Sequence, residues 1–200
     1  IGSIHPTIGP FRGGTKVFIK GTGFEPLQNN LSCKFGSFRS GSMQVLNDTS
    51  GICFSPSLNE IQDIDVSNHV DSINTEFSIE FEPSHFKSCN LGRHDNNTVF
   101  SFYNDEIIDS VQPVLIPRHG SSVQVHGSGF ANTSLLSCRV GNVKVIPARY
   151  LSNRTITCHI PAMDNVIAMN LGSQINPLLA SISVSNNGVD FVASEVVSVL

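Results

Sequence analysis

Tryptophan is absent from this 200-residue chain, and tyrosine occurs only at Tyr103 and Tyr150. The flat aromatic platform on which sugar rings stack is therefore missing, which argues against direct carbohydrate binding. Basic residues are not in excess either, because 12 Lys and Arg stand against 16 Asp and Glu and give a net charge of -4. The two signs are interspersed, so the chain has no basic field that would gather nucleic-acid phosphates.

Long apolar runs and closely spaced cysteine pairs are also missing. No stretch has the 18 or so apolar residues of a membrane span, and the start lacks the charged leader and apolar segment of a signal peptide. No Cys-x-x-Cys occurs, which disfavours structural zinc. Both ends are strand-like, so we expect a piece of a longer polypeptide whose targeting signals lie elsewhere.

The chain contains an internal sequence repeat, with one copy over residues 14–56 and the other over residues 120–161. Each copy has a short strand ending in Gly-x-Gly-Phe, then Leu-Ser-Cys-x-x-Gly, then Cys-x-x-Pro. The offset of about 105 residues gives each copy enough chain for its own core. The repeat predicts two domains, residues 1–104 and 105–200.

Alternation in the first strand of each copy predicts a half-buried strand. Val17 and Ile19 fall on one side, between lysines, and the second copy keeps this pattern over residues 122–126. Phe18 interrupts the polar side, where the second copy has Gln124. We therefore expect Phe18 to be exposed or to lie at a contact surface.

The end of each copy predicts a hairpin. In the first copy we expect residues 77–81 to pair with 99–103, and in the second residues 179–184 to pair with 191–199 through a compact turn at 185–188. Residues 57–76 and 82–97 are then predicted loops, and the polar stretch 37–48 has no clear strand pattern.

Four of the five cysteines fall at matched places in the two copies, with equal separations. This arrangement predicts one disulfide per copy, Cys33 with Cys53 and Cys138 with Cys158, and an oxidising compartment. Closing a loop of about 20 residues stabilises a domain by roughly 3 kcal/mol. The alternative is reduced structural cysteine in a cytosolic protein.

Cys89 is the fifth cysteine and has no counterpart in the second copy, so its bonding state has three alternatives. It can bridge to another chain, bridge to a domain outside this segment, or stay a free thiol. It shares a loop with His85, His94 and Asp95, but their spacing fits no structural zinc pattern, and a solvated loop is favoured.

Two acidic stretches resemble calcium ligands only superficially. Neither has the glycine and terminal glutamate of an EF-hand loop, so solvated loops are the better interpretation. We expect no metal and no cofactor. The stretches contain Asp63, Asp65 and Asp71, and then Asn104, Asp105, Glu106 and Asp109.

Catalytic motifs are not recognisable either. The seven histidines are scattered, with no matching nucleophile and carboxylate beside them. No helix pattern follows Gly-x-Gly-Phe, so a phosphate-binding loop is disfavoured. We expect a protein without enzymatic activity.

Glycosylation sequons occur in both copies. Roughly three or four would arise by chance in a chain this rich in Asn, Ser and Thr, so they carry weight only together with the disulfides. On a secreted protein they would place glycans on loops. They are Asn30, Asn47, Asn96, Asn132 and Asn153.

Taken together, both halves resemble IPT/TIG domains, the immunoglobulin-like units of plexins, of the hepatocyte growth factor receptor family and of other large ectodomains. The resemblance rests on Ile-x-Ser-Ile-x-Pro6 and its counterpart ending at Pro113, on the motifs above, and on the final Asn-Asn-Gly-Val-Asp-Phe191. It implies an all-β chain of two tandem immunoglobulin-like β-sandwiches of the E-set type. The first copy departs from the family pattern in the loop that holds Cys89.

The resemblance also implies a function. We expect a non-catalytic spacer and protein-interaction segment of a cell-surface receptor or adhesion ectodomain, extracellular and reached through the secretory pathway. Its partners would be proteins, including neighbouring domains, with no nucleic acid and no direct membrane contact. Since only Asn104, Asp105 and Glu106 separate the predicted strands of the two copies, we expect a short semi-rigid rod.

The sequence also leaves other classes of protein open. A structural subunit of an extracellular filament or coat would use the same repeats, with Cys89 or an edge strand joining chains into a homo-oligomer or filament. An accessory domain of a carbohydrate-active enzyme is disfavoured by the missing aromatic platform. A Rel-type transcription factor is disfavoured by the acidic balance and the cysteine spacing.

Overall fold

The computed structural model describes residues 1–27, 30–58, 72–81, 98–117, 119–141, 144–162 and 178–199. The chain forms two compact units, domain 1 (Ile1–Asn104) and domain 2 (Asp105–Leu200). Apart from one 3-10 turn, Glu25–Leu27, the elements in these described ranges are all β-strands. The all-β prediction is confirmed.

Domain 1 consists of two sheets. The four-stranded sheet has the order β1-β3-β7-β6, and the five-stranded sheet has the order β2-β9-β8-β4-β5. The strands are β1 (Ser3–His5), β2 (Ile8–Pro10), β3 (Lys16–Lys20), β4 (Leu31–Phe35), β5 (Phe38–Ser42), β6 (Gln44–Asn47), β7 (Ser50–Phe54), β8 (Ser72–Phe81) and β9 (Val99–Tyr103).

The core of domain 1 is aromatic. Phe35 on β4 meets Phe77 and Phe100 edge to face, with ring centroids 5.0 and 4.9 Å apart. Val17 and Ile19 from β3 are fully buried against this group. Edge-to-face packing lets the positive ring edges meet the negative faces, which adds to the burial of apolar area.

Domain 2 folds as one continuous sheet with the order β10-β12-β15-β14-β13-β16-β17-β11. Its core is aliphatic, built on residues such as Val123, Val125 and Ile156, with Phe130 at its end. The strands are β10 (Ile107–Gln112), β11 (Leu115–Ile116), β12 (Ser121–Ser128), β13 (Ser137–Val140), β14 (Lys144–Ser152), β15 (Thr155–Ile160), β16 (Leu178–Ser185) and β17 (Val192–Val199).

The two domains differ where the chain passes between the layers. In domain 2, β14 pairs with β13 at its start and with β15 at its end, so one strand serves both layers. In domain 1 the same passage is broken at Met43, between β5 and β6, and the Met43 side chain is buried. The polar stretch 37–48, left unassigned from sequence, is therefore two short strands.

The predicted hairpin of domain 1 is wrong in its pairing. Residues 72–76 of β8 pair with β9, whereas residues 77–81 pair with β4. The reason is that β8 is ten residues long and its two halves serve different neighbours. Residues 72–76 thus belong to a strand and not to the predicted loop.

The final hairpin of domain 2 pairs as expected, but its connection is longer than the predicted compact turn. β16 ends at Ser185 and β17 begins at Val192, so residues 186–191 form the connection. The Oδ1 atom of Asn187 accepts hydrogen bonds from the N–H groups of Val189 and Asp190, which closes the loop through a side chain.

Several sequence-based predictions fall outside the described residues. They concern the acidic segment up to Asp71, the loop with His85, Cys89, His94 and Asp95, and the sequon at Asn96.

Candidate interaction surface

A disulfide lies at the centre of each domain. Cys33 on β4 is bonded to Cys53 on β7, with 6.3 Å between their Cα atoms. Cys138 on β13 is bonded to Cys158 on β15, with 6.1 Å between their Cα atoms. Because each cystine is buried and joins the two layers of its sandwich, it acts as a structural crosslink.

The Gly-x-Gly-Phe turn is held in the same way in both domains. In domain 1, the N–H of Phe24 donates to the Asp48 carbonyl, at the tip of the hairpin between β6 and β7. In domain 2, the N–H of Phe130 donates to the Asn153 carbonyl, between β14 and β15. Positive φ angles at the second glycine of each turn bring both phenylalanines back into their cores.

The sequons lie near these turns. Asn47 and Asn153 are exposed at the two hairpin tips, and Asn132 is exposed in the loop after the turn of domain 2. Asn30 is half-buried just before β4. Asn47 and Asn153 thus lie at corresponding hairpin tips in the two domains, whereas Asn30 and Asn132 have no sequon counterpart.

One outer sheet surface of domain 1 is unusually apolar. The register pairs Phe18 of β3 with Ile52 of β7, and Lys16 with Phe54. Strand alternation puts these side chains on the side opposite Val17 and Cys53, away from the core. We call this surface the Phe18 face; it includes Ser3, His5, Lys16, Phe18, Lys20, Gln44, Ile52 and Phe54.

The two aromatic side chains of the Phe18 face are open to solvent. Phe18 is 43% exposed and Phe54 is 53% exposed, while Ile52 between them is only 5% exposed. The ammonium group of Lys16 lies 5.1 Å from the Phe18 ring centroid. This cation-π contact supports the ring, and His5 of β1 is the register partner of Phe18 on the neighbouring strand.

The equivalent surface of domain 2 is polar. By the same register, Gln124 pairs with Thr157 where domain 1 has Phe18 and Ile52. Ser122 and His159 stand where domain 1 has Lys16 and Phe54, and Ser122 Oγ lies 3.0 Å from His159 Nδ1. The apolar face is therefore a property of domain 1 and not a requirement of the fold.

The Phe18 face is also basic within an acidic chain. Strands β1, β3, β6 and β7 carry Lys16 and Lys20 and contain no Asp or Glu. The whole chain has a net charge of -4. A partner that meets this face encounters apolar rings flanked by two ammonium groups.

Two of the acidic residues considered as calcium ligands differ in exposure. The Glu106 carboxylate is buried and accepts a hydrogen bond from the N–H of Asn186, whereas Asp109 is exposed. Among the residues that the structure describes, no three His, Cys, Asp or Glu side chains converge as metal ligands.

The pairing of Ser122 with His159 places a hydroxyl beside an imidazole, as catalytic sites do. It lies exposed on the neighbouring strands β12 and β15, and neither strand carries an Asp or Glu that would orient the imidazole. A serine nucleophile needs such an orienting group. A polar cross-strand contact accounts for the geometry.

Comparison with known proteins defines the class. The IPT/TIG domain family matches residues 1–82 and 107–198. The chain therefore belongs to the IPT/TIG family, with one domain in each half. The expected resemblance is confirmed.

Matching solved structures include extracellular regions of plexin A4 and the protein SGBP-B. One extracellular region of plexin A4 is 19% identical over 88% of this chain, with a TM-score of 0.44. A second plexin A4 structure is 16% identical over 99% of this chain, with a TM-score of 0.43. A third structure is SGBP-B of the Bacteroides ovatus mixed-linkage glucan utilization locus, in complex with a mixed-linkage heptasaccharide. It is 11% identical to this chain, with a TM-score of 0.33, and the match covers 98% of this chain and 43% of the SGBP-B chain.

The chain spans only 16% and 18% of the lengths of the two plexin chains. No curated protein matches it. In the described part of the chain, no helix is long and apolar enough to cross a membrane. Family membership and the two buried disulfides favour an extracellular interaction or spacer segment.

Proposed function

We propose that this chain is a non-catalytic spacer and protein-interaction segment of a larger cell-surface receptor or adhesion ectodomain. The observation that carries this proposal is the succession of two IPT/TIG sandwiches, each closed by a buried disulfide. β9 ends at Tyr103 and β10 begins at Ile107, so the first sandwich leads directly into the second. Buried disulfides of this kind persist in oxidising compartments.

The surface chemistry supports binding and not catalysis. The Phe18 face offers apolar contact area with flanking charge, which is typical of an interface centre. The Ser122 and His159 pair lacks an orienting carboxylate on its two strands.

We propose further that Asn47, Asn132 and Asn153 carry N-linked glycans in the mature protein. All three are exposed on loops or hairpin tips, where an attached sugar displaces no core contact. Asn30 and Asn96 remain candidates on sequence grounds.

Cys89 distinguishes this proposal from the alternative of a filament or coat subunit. An odd cysteine in an oxidising compartment can join two chains, and such a bridge would favour the alternative. A free thiol, or a bridge to a neighbouring domain of the same polypeptide, fits the spacer.

The test is non-reducing mass spectrometry of the protein from its native source, mapping disulfides and glycosylated asparagines together. The proposal expects Cys33 bonded to Cys53, Cys138 bonded to Cys158, glycans on exposed sequons, and no second chain on Cys89. A Cys89 bridge to a second chain would replace the spacer with the filament subunit. Five reduced cysteines and bare sequons would overturn the extracellular assignment.

A further inference from the structure

The Phe18 face and its counterpart in domain 2 occupy the same place in the fold but have opposite chemistry. β3 pairs with β7 as β12 pairs with β15, residue for residue. Phe18, Ile52 and Phe54 in domain 1 correspond to Gln124, Thr157 and His159 in domain 2. The second copy thus serves as an internal control, because it shows that the sandwich forms with polar residues there.

Exposed aromatic rings are unfavourable in water, so a surface that has no folding need for them indicates another role. Phe18 and Phe54 lie on adjacent strands on either side of Ile52, which gives one contiguous patch. Scattered single apolar residues, such as Val145 in domain 2, do not form such a group.

The charges around the patch restrict what can cover it. Lys16 and Lys20 are exposed at the two ends of β3, and the four strands of this sheet have no Asp or Glu to neutralise them. A second copy of the same face would bring two pairs of lysines together at an interface, which is unfavourable. A partner with carboxylates beside an apolar centre complements both features.

We propose that the Phe18 face binds an acidic, apolar segment of a partner protein. The apolar side chains of that segment pack on Phe18, Ile52 and Phe54, while its carboxylates pair with Lys16 and Lys20. This inference rests on the proposed role as an interaction segment and names the chemistry of the partner.

A glycan on Asn47 would lie beside Lys20 and leave the Lys16 and Phe54 end of the Phe18 face open to this partner. Asn47 pairs with Ser50, and Ser50 pairs with Lys20, so a sugar there lies in the row at the Lys20 end of the face. Phe54 lies at the opposite end of β7, beside Lys16. The end of the Phe18 face that contains Lys16 and Phe54 therefore stays accessible.

The test is selection of a displayed random peptide library on the full chain, followed by affinity measurement of the selected peptides. The key variant is Phe18→Gln with Phe54→His, which installs the residues that domain 2 already tolerates at these places. We expect peptides with Asp or Glu beside aromatic or aliphatic residues, and a loss of affinity of about tenfold or more in the variant. Lys16→Glu with Lys20→Glu should weaken binding similarly, and added salt should weaken it in the wild type.

A matched control removes an exposed apolar side chain elsewhere. Val145→Gln in domain 2, at a residue 51% exposed, should leave affinity within about twofold. Thermal melting of each variant shows that the fold is kept. The proposal is overturned if the selection yields no peptide that distinguishes the key variant, or if the selected peptides lack acidic residues.

Binding of a second copy of the chain, or of a membrane, to the Phe18 face would give different experimental results. Self-association in sedimentation velocity that disappears in the key variant would assign the face to a second copy. Sedimentation with anionic phosphatidylserine vesicles, lost in the same variant, would assign it to a membrane surface. Either result overturns the acidic partner, whereas failure of the proposed function appears separately, as reduced cysteines and bare sequons in the native protein.

Discussion

The Glu106 carboxylate accepts a hydrogen bond from the backbone N–H of Asn186, with 2.9 Å between Oε1 and N, and both residues are buried in domain 2. The Asn186 side chain in turn accepts from the N–H of Ala131 and donates to the carbonyl of Gly129. The entry to β10, the Gly-x-Gly-Phe turn and the last hairpin are thereby joined through one asparagine.

Removing the carboxylate should therefore destabilise domain 2. We expect Glu106→Ala to lower the free energy of unfolding by about 1–3 kcal/mol, because a buried N–H loses its acceptor. Glu106→Gln keeps an acceptor oxygen and should cost less. Urea unfolding measures both, with Asp109→Ala as the exposed acidic control, expected within about 0.5 kcal/mol of wild type. Equal costs for Glu106→Ala and Asp109→Ala would show that this hydrogen bond contributes nothing.

Equivalent glycines of the two turns should respond differently to alanine. Gly23 and Gly129 have φ angles of 80° and 75°, so both substitutions incur the left-handed penalty of about 1–2 kcal/mol. A Cβ at Gly23 meets nothing within 4 Å, whereas a Cβ at Gly129 meets the Asp105 carbonyl oxygen. We expect Gly129→Ala to be the more destabilising by at least about 1 kcal/mol in thermal unfolding. Equal melting temperatures of the two variants would show that the close approach of the Asp105 carbonyl to Gly129 adds no cost.

The aromatic core of domain 1 should be more sensitive to truncation than the aliphatic core of domain 2. Phe35 contacts the rings of Phe77, Phe100 and Phe102, and Val140 stands at the equivalent place in domain 2. We expect Phe35→Ala to cost about 3–5 kcal/mol and Val140→Ala about 2 kcal/mol. Calorimetry of the two variants gives the comparison, and a smaller cost at Phe35 would contradict it.

Each disulfide should stabilise its own domain. Removing either pair, as Cys33→Ala with Cys53→Ala or as Cys138→Ala with Cys158→Ala, should lower the free energy of unfolding by about 3 kcal/mol, because a loop of about 20 residues is no longer closed in the unfolded chain. Denaturant unfolding without reductant is the measurement. Each double variant keeps the other bridge and so serves as its control. A loss below about 1 kcal/mol would mean that the crosslinks are dispensable.

The repeat made much of the fold predictable. Matched motifs located the cores, because Val17, Ile19 and their counterparts alternate with polar residues as half-buried strands do. The partners of β8 were not predictable, since the apolar alternation of Phe77, Ile79 and Phe81 does not say which neighbour receives them. The final connection of domain 2 was misjudged because Asn186 and Asn187 use their side chains to build the loop, which a turn motif does not reveal.

The candidate surface was partly predictable. Phe18 stood out because it breaks an alternation that the second copy keeps. Ile52 and Phe54 were missed, since their place beside Phe18 depends on the register of β7. Comparison of each residue around Cys53 with its counterpart around Cys158 would have shown the same exchange of apolar for polar side chains.

The interruption at Met43 gives domain 1 two short strands, β5 and β6, where domain 2 has the single strand β14. Among the described strands, β5 pairs only with β4 and β6 pairs only with β7, so each has an unpaired row of peptide groups that can template a further strand. Under conditions that loosen the fold, charges introduced along β5 and β6 should therefore reduce deposition in inclusion bodies during protein production.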